Sequence, residues 1–217
     1  FCLTAEQLEA AITPNTKLLM LCSPNNPTGS VYTLENLKAL VEVLKKHPQI
    51  VVLADEIYQH ILYTGKHETL AQFPELEDRL IIINGVSKAY AMTGYRIGWL
   101  ACHDKDLITA VKRLQGQTIS CATTIAQKAA EAAYTGPQEC VEEMRQAFER
   151  RRNLIVGLAK DIPGMKVLEP QGAFYLFPDV SAYFGKQYLG QFIHYVVDLV
   201  TFLLLVVFLF CVSGSFF

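Results

Sequence analysis

The sequence predicts an α/β domain built on a mostly parallel sheet, and three observations carry that prediction. Short, mostly apolar runs of strand length recur at Lys17 to Cys22, Ile50 to Ala54 and Arg79 to Ile83, the pattern of strands buried on both faces. Segments with helical apolar spacing lie among them, so helices and strands alternate. Turn-forming residues gather where those strands end, most densely in Ser23-Pro24-Asn25-Asn26-Pro27-Thr28-Gly29.

Taken in chain order, the spacing from Thr4 to Ile12 predicts a short helix, and Lys17 to Cys22 the first strand. The two prolines of 23–29 forbid helix and favour a rigid loop. Thr33 is an N-cap for a helix through Lys46, with Leu34, Leu37, Leu40, Val41 and Leu44 on one face. Ile50 to Ala54 reads as a fully buried strand that ends at Asp55-Glu56-Ile57-Tyr58. A polar stretch to Asp78 leads into the strand Arg79 to Ile83. Helices are expected over 104–115, 122–134 and 139–160. The last carries Arg150, Arg151 and Arg152, read as a solvated face, and links two domains. After Pro163-Gly164, strands at Met165 to Leu168 and Ala173 to Phe177 would begin a smaller α+β domain. The expected division is 1–148, a partial large domain, and 149–217, a truncated small one.

With 217 residues, 19 Lys plus Arg, 21 Asp plus Glu and a formal net charge of -2, the chain has no broad field to attract nucleic acid or acidic lipid, which favours small-molecule chemistry. The six cysteines form no Cys-x-x-Cys pair and do not cluster with histidine. They read as reduced thiols of a cytoplasmic enzyme, with no metal site expected. Phe1 to Thr16 lacks the basic flank and apolar core of a secretory signal, and a start at Phe rather than Met reads as an internal piece of a longer protein. Leu199 to Val212 is apolar at every position except Thr201. As a helix it would span about 21 Å, short of the roughly 30 Å hydrocarbon core. Extension back to Phe192 would bury His194 and Asp198. Degraded or misread sequence over a former amphipathic helix is favoured for 192–217, with a membrane segment as the alternative.

Lys88 lies in Asn84-Gly85-Val86-Ser87-Lys88-Ala89-Tyr90-Ala91-Met92-Thr93-Gly94-Tyr95-Arg96-Ile97-Gly98, directly after an apolar strand. Ser87 adds a hydroxyl and Arg96 a permanent cation with a planar fork of donors, a pair suited to a phosphate. Asp55 ends a buried strand, where open α/β sheets place their ligands, and Tyr58 follows one turn later. Asn26 offers an amide from the rigid loop. Each has a plain structural alternative: a turn cap for Asp55, a core position for Tyr58, turn chemistry for Asn26 and a surface ion pair for Arg96.

Those segments together with Gln171-Gly172-Ala173-Phe174-Tyr175 resemble the class I pyridoxal-phosphate aminotransferases, nearest the bacterial-type aspartate aminotransferases, from the start to about Val180. The resemblance implies the three-layer α/β/α large domain of fold type I, part of a small α+β C-terminal domain, and pyridoxal 5'-phosphate as cofactor. It makes Lys88 the Schiff-base lysine, Asp55 the partner of the pyridine nitrogen, Asn26 and Tyr58 the pair at the ring hydroxyl, and Ser87 and Arg96 the phosphate ligands. It further implies transamination between an amino acid, aspartate or similar, and a 2-oxo acid, by a homodimer with no nucleic-acid partner. The resemblance also marks departures. The family's upstream phosphate-binding turn and ring-stacking aromatic precede this chain's first residue. Val212-Ser213-Gly214-Ser215-Phe216-Phe217 looks like an altered form of a segment that precedes its substrate-carboxylate arginine. Three other readings stay open: a non-catalytic or membrane-tethered remnant; a prephenate, aromatic or alanine-type aminotransferase; and a C-S lyase.

Overall fold

A computed structural model describes residues 1–206. Two short helices open the chain, each started by a reciprocal cap. Thr4 accepts from the Gln7 amide while the Gln7 side chain accepts from the Thr4 amide, at the head of α1 (Ala5–Ala11). Thr33 and Asn36 do the same for α2 (Leu34–Lys45). Such caps satisfy amides that the first turn leaves without partners. Arg79 serves the other end of α2, donating to the Leu44, His47 and Ile50 carbonyls at 2.8, 2.8 and 2.9 Å, a cation where the helix dipole is negative.

The main sheet has the order β1 (Leu18–Cys22), β2 (Val51–Asp55), β3 (Leu80–Gly85), β4 (Gly98–Ala101). The first two pairings are parallel and the third is antiparallel. One face, carrying Leu21, Val52, Ala54 and Leu80, packs on Leu37, Leu40, Val41 and Leu44 of α2, the apolar face read from its spacing. Burying one such leucine stabilises the domain by about 1.5–3 kcal/mol. The opposite face is more open, and Met20 is 66% exposed.

One expectation is corrected, and two features lie outside the sequence reading. The polar β2-to-β3 connection folds into two 3-10 turns, Leu70–Gln72 and Pro74–Arg79, because Pro74 suits a first helical position and the stretch lacks a sustained apolar stripe. β4 was not expected, since four residues starting at a glycine give too short a run. The expected strands at 165–168 and 173–177 are absent and leave only isolated bridges, Lys166 to Asp179 and Leu62 to Gly172. Ala173 takes a left-handed φ of 56°, incompatible with continued strand, and its amide donates to the Ile61 carbonyl at 2.8 Å.

Helices α3 (Lys105–Thr118), α4 (Thr124–Thr135) and α5 (Glu139–Lys160) follow β4. A hairpin of β5 (Lys186–Tyr188) and β6 (Gln191–Ile193) then precedes α6 (Val196–Val206). No helix among the described residues is long and apolar enough to cross a membrane. The apolar run 199–212 extends beyond the described residues, and the segment 212–217 lies wholly outside them.

Candidate active site

The carboxyl ends of the parallel strands are fixed at one level. Cys22 at the end of β1 pairs with Asp55 at the end of β2, and Asp55 with Ile83 of β3. The Ser23 amide donates to the Asp55 carbonyl at 3.1 Å and the Glu56 amide to the Ile83 carbonyl at 2.9 Å, so the chain segments leaving these strands start from a shared rim. The Asp55 carboxylate accepts from the Ile57 amide at 3.1 Å, which holds it against the next turn. Behind it, Glu56 is buried and accepts from the Thr69 hydroxyl at 2.6 Å. His67 Nε2 lies 3.2 Å from the other Glu56 oxygen, off the line a hydrogen bond needs.

Lys88 stands three residues beyond β3. Its Nζ lies 5.7 Å from the Tyr58 ring centroid and 5.6 Å from that of Phe174, within the range in which an ammonium is attracted to a ring face. Tyr58 is 3% exposed. It meets Phe174 and Tyr175 edge-on, at centroid distances of 5.5 and 5.8 Å, and its hydroxyl is 2.5 Å from the Tyr175 hydroxyl. Burial, and then the hydrogen bond with Tyr175, push the Tyr58 phenol well above the usual range, so it stays a neutral donor.

Asn26 lies in the proline-bracketed loop. That loop is tied by Asn25, whose Oδ1 accepts from the Thr28 amide and hydroxyl at 3.1 and 2.7 Å and whose carbonyl accepts from the Gly29 amide at 2.9 Å. The Asn26 side-chain oxygen is buried without a hydrogen-bond partner, a condition costing about 1–3 kcal/mol. Because amide oxygen and nitrogen share one geometry, the same position can present a donor by a flip. The neighbouring Cys22 thiol donates to the Pro24 carbonyl at 3.3 Å, and burial pushes its pKa up.

Ser87 is half-buried beside Lys88. Arg96 is exposed, at a left-handed φ of 52°, and turns its guanidinium back onto the Thr93 carbonyl at 2.9 Å. The structure therefore places Lys88 with Tyr58, sets Asp55 at the end of β2 and Asn26 in the loop that leaves the adjoining β1, and leaves Arg96 facing out from its own turn.

Sequence reasoning gave no role to Phe174, Tyr175 or Cys22, although 171–175 stood out as a motif and its paired aromatics were the available signal. It also placed Arg152 on a solvated face, whereas that side chain is 9% exposed. Its Nη1 donates to the Pro170 carbonyl at 2.6 Å and lies 3.1 Å from Glu169, and its guanidinium covers the Tyr63 ring at 4.8 Å. Tyr63 in turn donates to the Ala173 carbonyl. The strap 170–175 is thus clamped from α5, and from the Asn26 loop as well, since the Gln171 and Gly172 amides both donate to the Gly29 carbonyl. Gly29 has φ +68°, and a Cβ there would come within 2.5 Å of Pro170 Cβ, so a glycine is required.

The family described as aminotransferase class I and II matches residues 1–204. An aspartate aminotransferase of Geobacillus stearothermophilus is 50% identical over 198 residues, covering 89% of this chain and 50% of that protein. An aspartate/prephenate aminotransferase of Cereibacter sphaeroides is 47% identical, covering 88% of this chain and 48% of its own length. The solved aspartate aminotransferase of Rhizobium meliloti superposes with a TM-score of 0.92 at 42% identity, over 99% of this chain and 54% of that one. The chain spans about half the length of the curated relatives it matches. With the family match running almost from end to end and a relative 50% identical over 89% of the chain, this chain belongs to the class I and II aminotransferases.

Proposed function

We propose that the protein transfers an amino group between an amino acid, aspartate or a similar acid, and a 2-oxo acid, with pyridoxal 5'-phosphate attached at Lys88. The observation that carries this reading is the Lys88 amine lying over the Tyr58 and Phe174 rings, three residues past β3, the strand paired with the one that ends at Asp55. The names of the relatives, aspartate and aspartate/prephenate aminotransferase, support the choice of acidic substrate.

The residues present fit the ring end of that cofactor. The orphaned amide end of Asn26 and the neutral Tyr58 phenol suit a ring oxygen, and the tethered Asp55 carboxylate suits a protonated ring nitrogen. Ser87 and Arg96 would hold the phosphate, Arg96 by turning in from its present contact with Thr93. A left-handed arginine costs about 1–2 kcal/mol over a glycine there, which favours a use for its side chain. When bound, the cofactor supplies an electron sink for charge at the substrate α-carbon. Lys88 Nζ is then the base that moves the α-proton, Asp55 fixes the ring's protonation, and Tyr58 and Asn26 orient it. The full-length protein is proposed to be a homodimer, with its domain division at 148/149 inside α5.

In the full-length protein, adding pyridoxal phosphate is expected to give an absorption band near the visible edge, and Lys88→Ala to abolish it with far-ultraviolet circular dichroism unchanged. A band that survives in the variant would sink the assignment. Turnover with prephenate rather than a small 2-oxo acid as acceptor would favour the second function in the name of the Cereibacter sphaeroides relative.

A further inference from the structure

We propose that Tyr175 is a positioning residue that sets the direction in which Tyr58 donates its hydroxyl proton. The inference rests on the cofactor reading above. A phenol has one proton to give. Two hydroxyls 2.5 Å apart therefore share one hydrogen bond, with either able to donate. In the pair alone Tyr58 can give its proton to Tyr175, and once an acceptor stands opposite Tyr58 the arrangement that frees the Tyr58 proton is the one in which Tyr175 donates. Tyr175 then occupies one acceptor site on the Tyr58 oxygen and fixes the hydroxyl rotor.

The surroundings make this arrangement stiff. Tyr58 is buried, with its ring held edge-on by Phe174 and Tyr175. Tyr175 belongs to the strap that Arg152, Tyr63 and Gly29 clamp from separate elements. Ala173 within that strap is fully buried and holds a left-handed backbone against the Ile61 carbonyl, so the chain enters the Tyr175 position from a fixed point. A rotor fixed before the ligand arrives loses little entropy on binding. The direction of the Tyr58 phenol shift, upward with burial and with Tyr175, agrees with a hydroxyl kept as a donor.

The test uses the full-length protein loaded with pyridoxal phosphate, and the readout is the pH midpoint of the absorption band of the Lys88-bound group rather than turnover. A donor aimed at a ring oxygen favours the state in which that oxygen carries full charge, so weakening the donor raises the midpoint. Tyr58→Phe sets the full effect. Tyr175→Phe keeps the ring and removes one hydroxyl, and is expected to raise the midpoint by about three- to tenfold in proton affinity, the scale of one hydrogen bond. The double variant is expected to match Tyr58→Phe alone, because Tyr175 acts only through Tyr58. An unchanged midpoint in Tyr175→Phe, or shifts that add fully in the double variant, would overturn the inference. A wild-type protein with no band at all would instead overturn the cofactor reading on which it rests.

Discussion

Tyr63 joins two of the segments that build the site, because its hydroxyl donates to the Ala173 carbonyl and its ring lies under the Arg152 guanidinium. A phenolate cannot donate, and burial pushes the Tyr63 pKa from 10.0 up to about 12. A folded-state pKa above the unfolded one gives stability that is fully present below about pH 10 and is lost as pH rises through about 12. Tyr63→Phe is therefore expected to be less stable than the parent by about 1 kcal/mol at neutral pH. The gap should close between pH ~9 and ~11.5 in urea unfolding, since a shift of this size removes about 2 kcal/mol over that range. A constant gap across that range would show that the hydroxyl does not carry the contact. Tyr58, whose phenol is raised further, titrates in both proteins and cancels in the comparison.

At the scale of elements, α5 works as a clamp through one face. Arg145 spans Glu142 and Glu149 and reaches the Leu62 carbonyl at 3.4 Å, while Arg152 holds the strap at Pro170. Arg150 is exposed. Arg152→Ala is expected to cost about 1–3 kcal/mol, since it leaves the Pro170 carbonyl without its charged donor and uncovers Tyr63. Arg150→Ala should stay within about 0.5 kcal/mol of the parent. Equal effects in thermal unfolding would return Arg152 to the solvated face that its sequence neighbours suggested. That face was misread because consecutive arginines look alike in sequence, while a helix turns each about 100° from the last. The capped starts of α1 and α2 and the apolar face of α2 were legible because they are local. So was the candidate lysine segment, whose residues are contiguous. The strap was legible as a motif but not as a structure: its left-handed alanine and its bonds to Ile61, Tyr63 and Gly29 arise between residues more than 100 positions apart.

For the whole molecule, the uneven covering of the sheet matters most. The α2 side is packed, whereas Met20 on the other face is 66% exposed, and Leu114 of α3 and Ile125 of α4 are 68% and 78% exposed. Trp99, Leu100, Ile108 and Val111 line an open cavity of about 450 Å³ between β4 and α3. Apolar surface on this scale marks contact sites in proteins. The 217-residue chain by itself is accordingly expected to bind a hydrophobic dye strongly and to self-associate on size exclusion. A dye-silent monomer would contradict that. The antiparallel return of β4 bears on how the lysine segment tolerates change in length. Residues 86–97 form a loop whose two ends are pinned at the Gly85–Gly98 pair, where a Cβ on Gly85 would come within 2.9 Å of the Gly98 Cα. Closing a loop twice as long costs only about 0.6 kcal/mol more, so insertions near Gly94 should be nearly free. Removal of one residue at the start of β4 would turn Trp99 and Leu100 each to the face of the sheet opposite its present one: the loop's length is soft, and its register is hard.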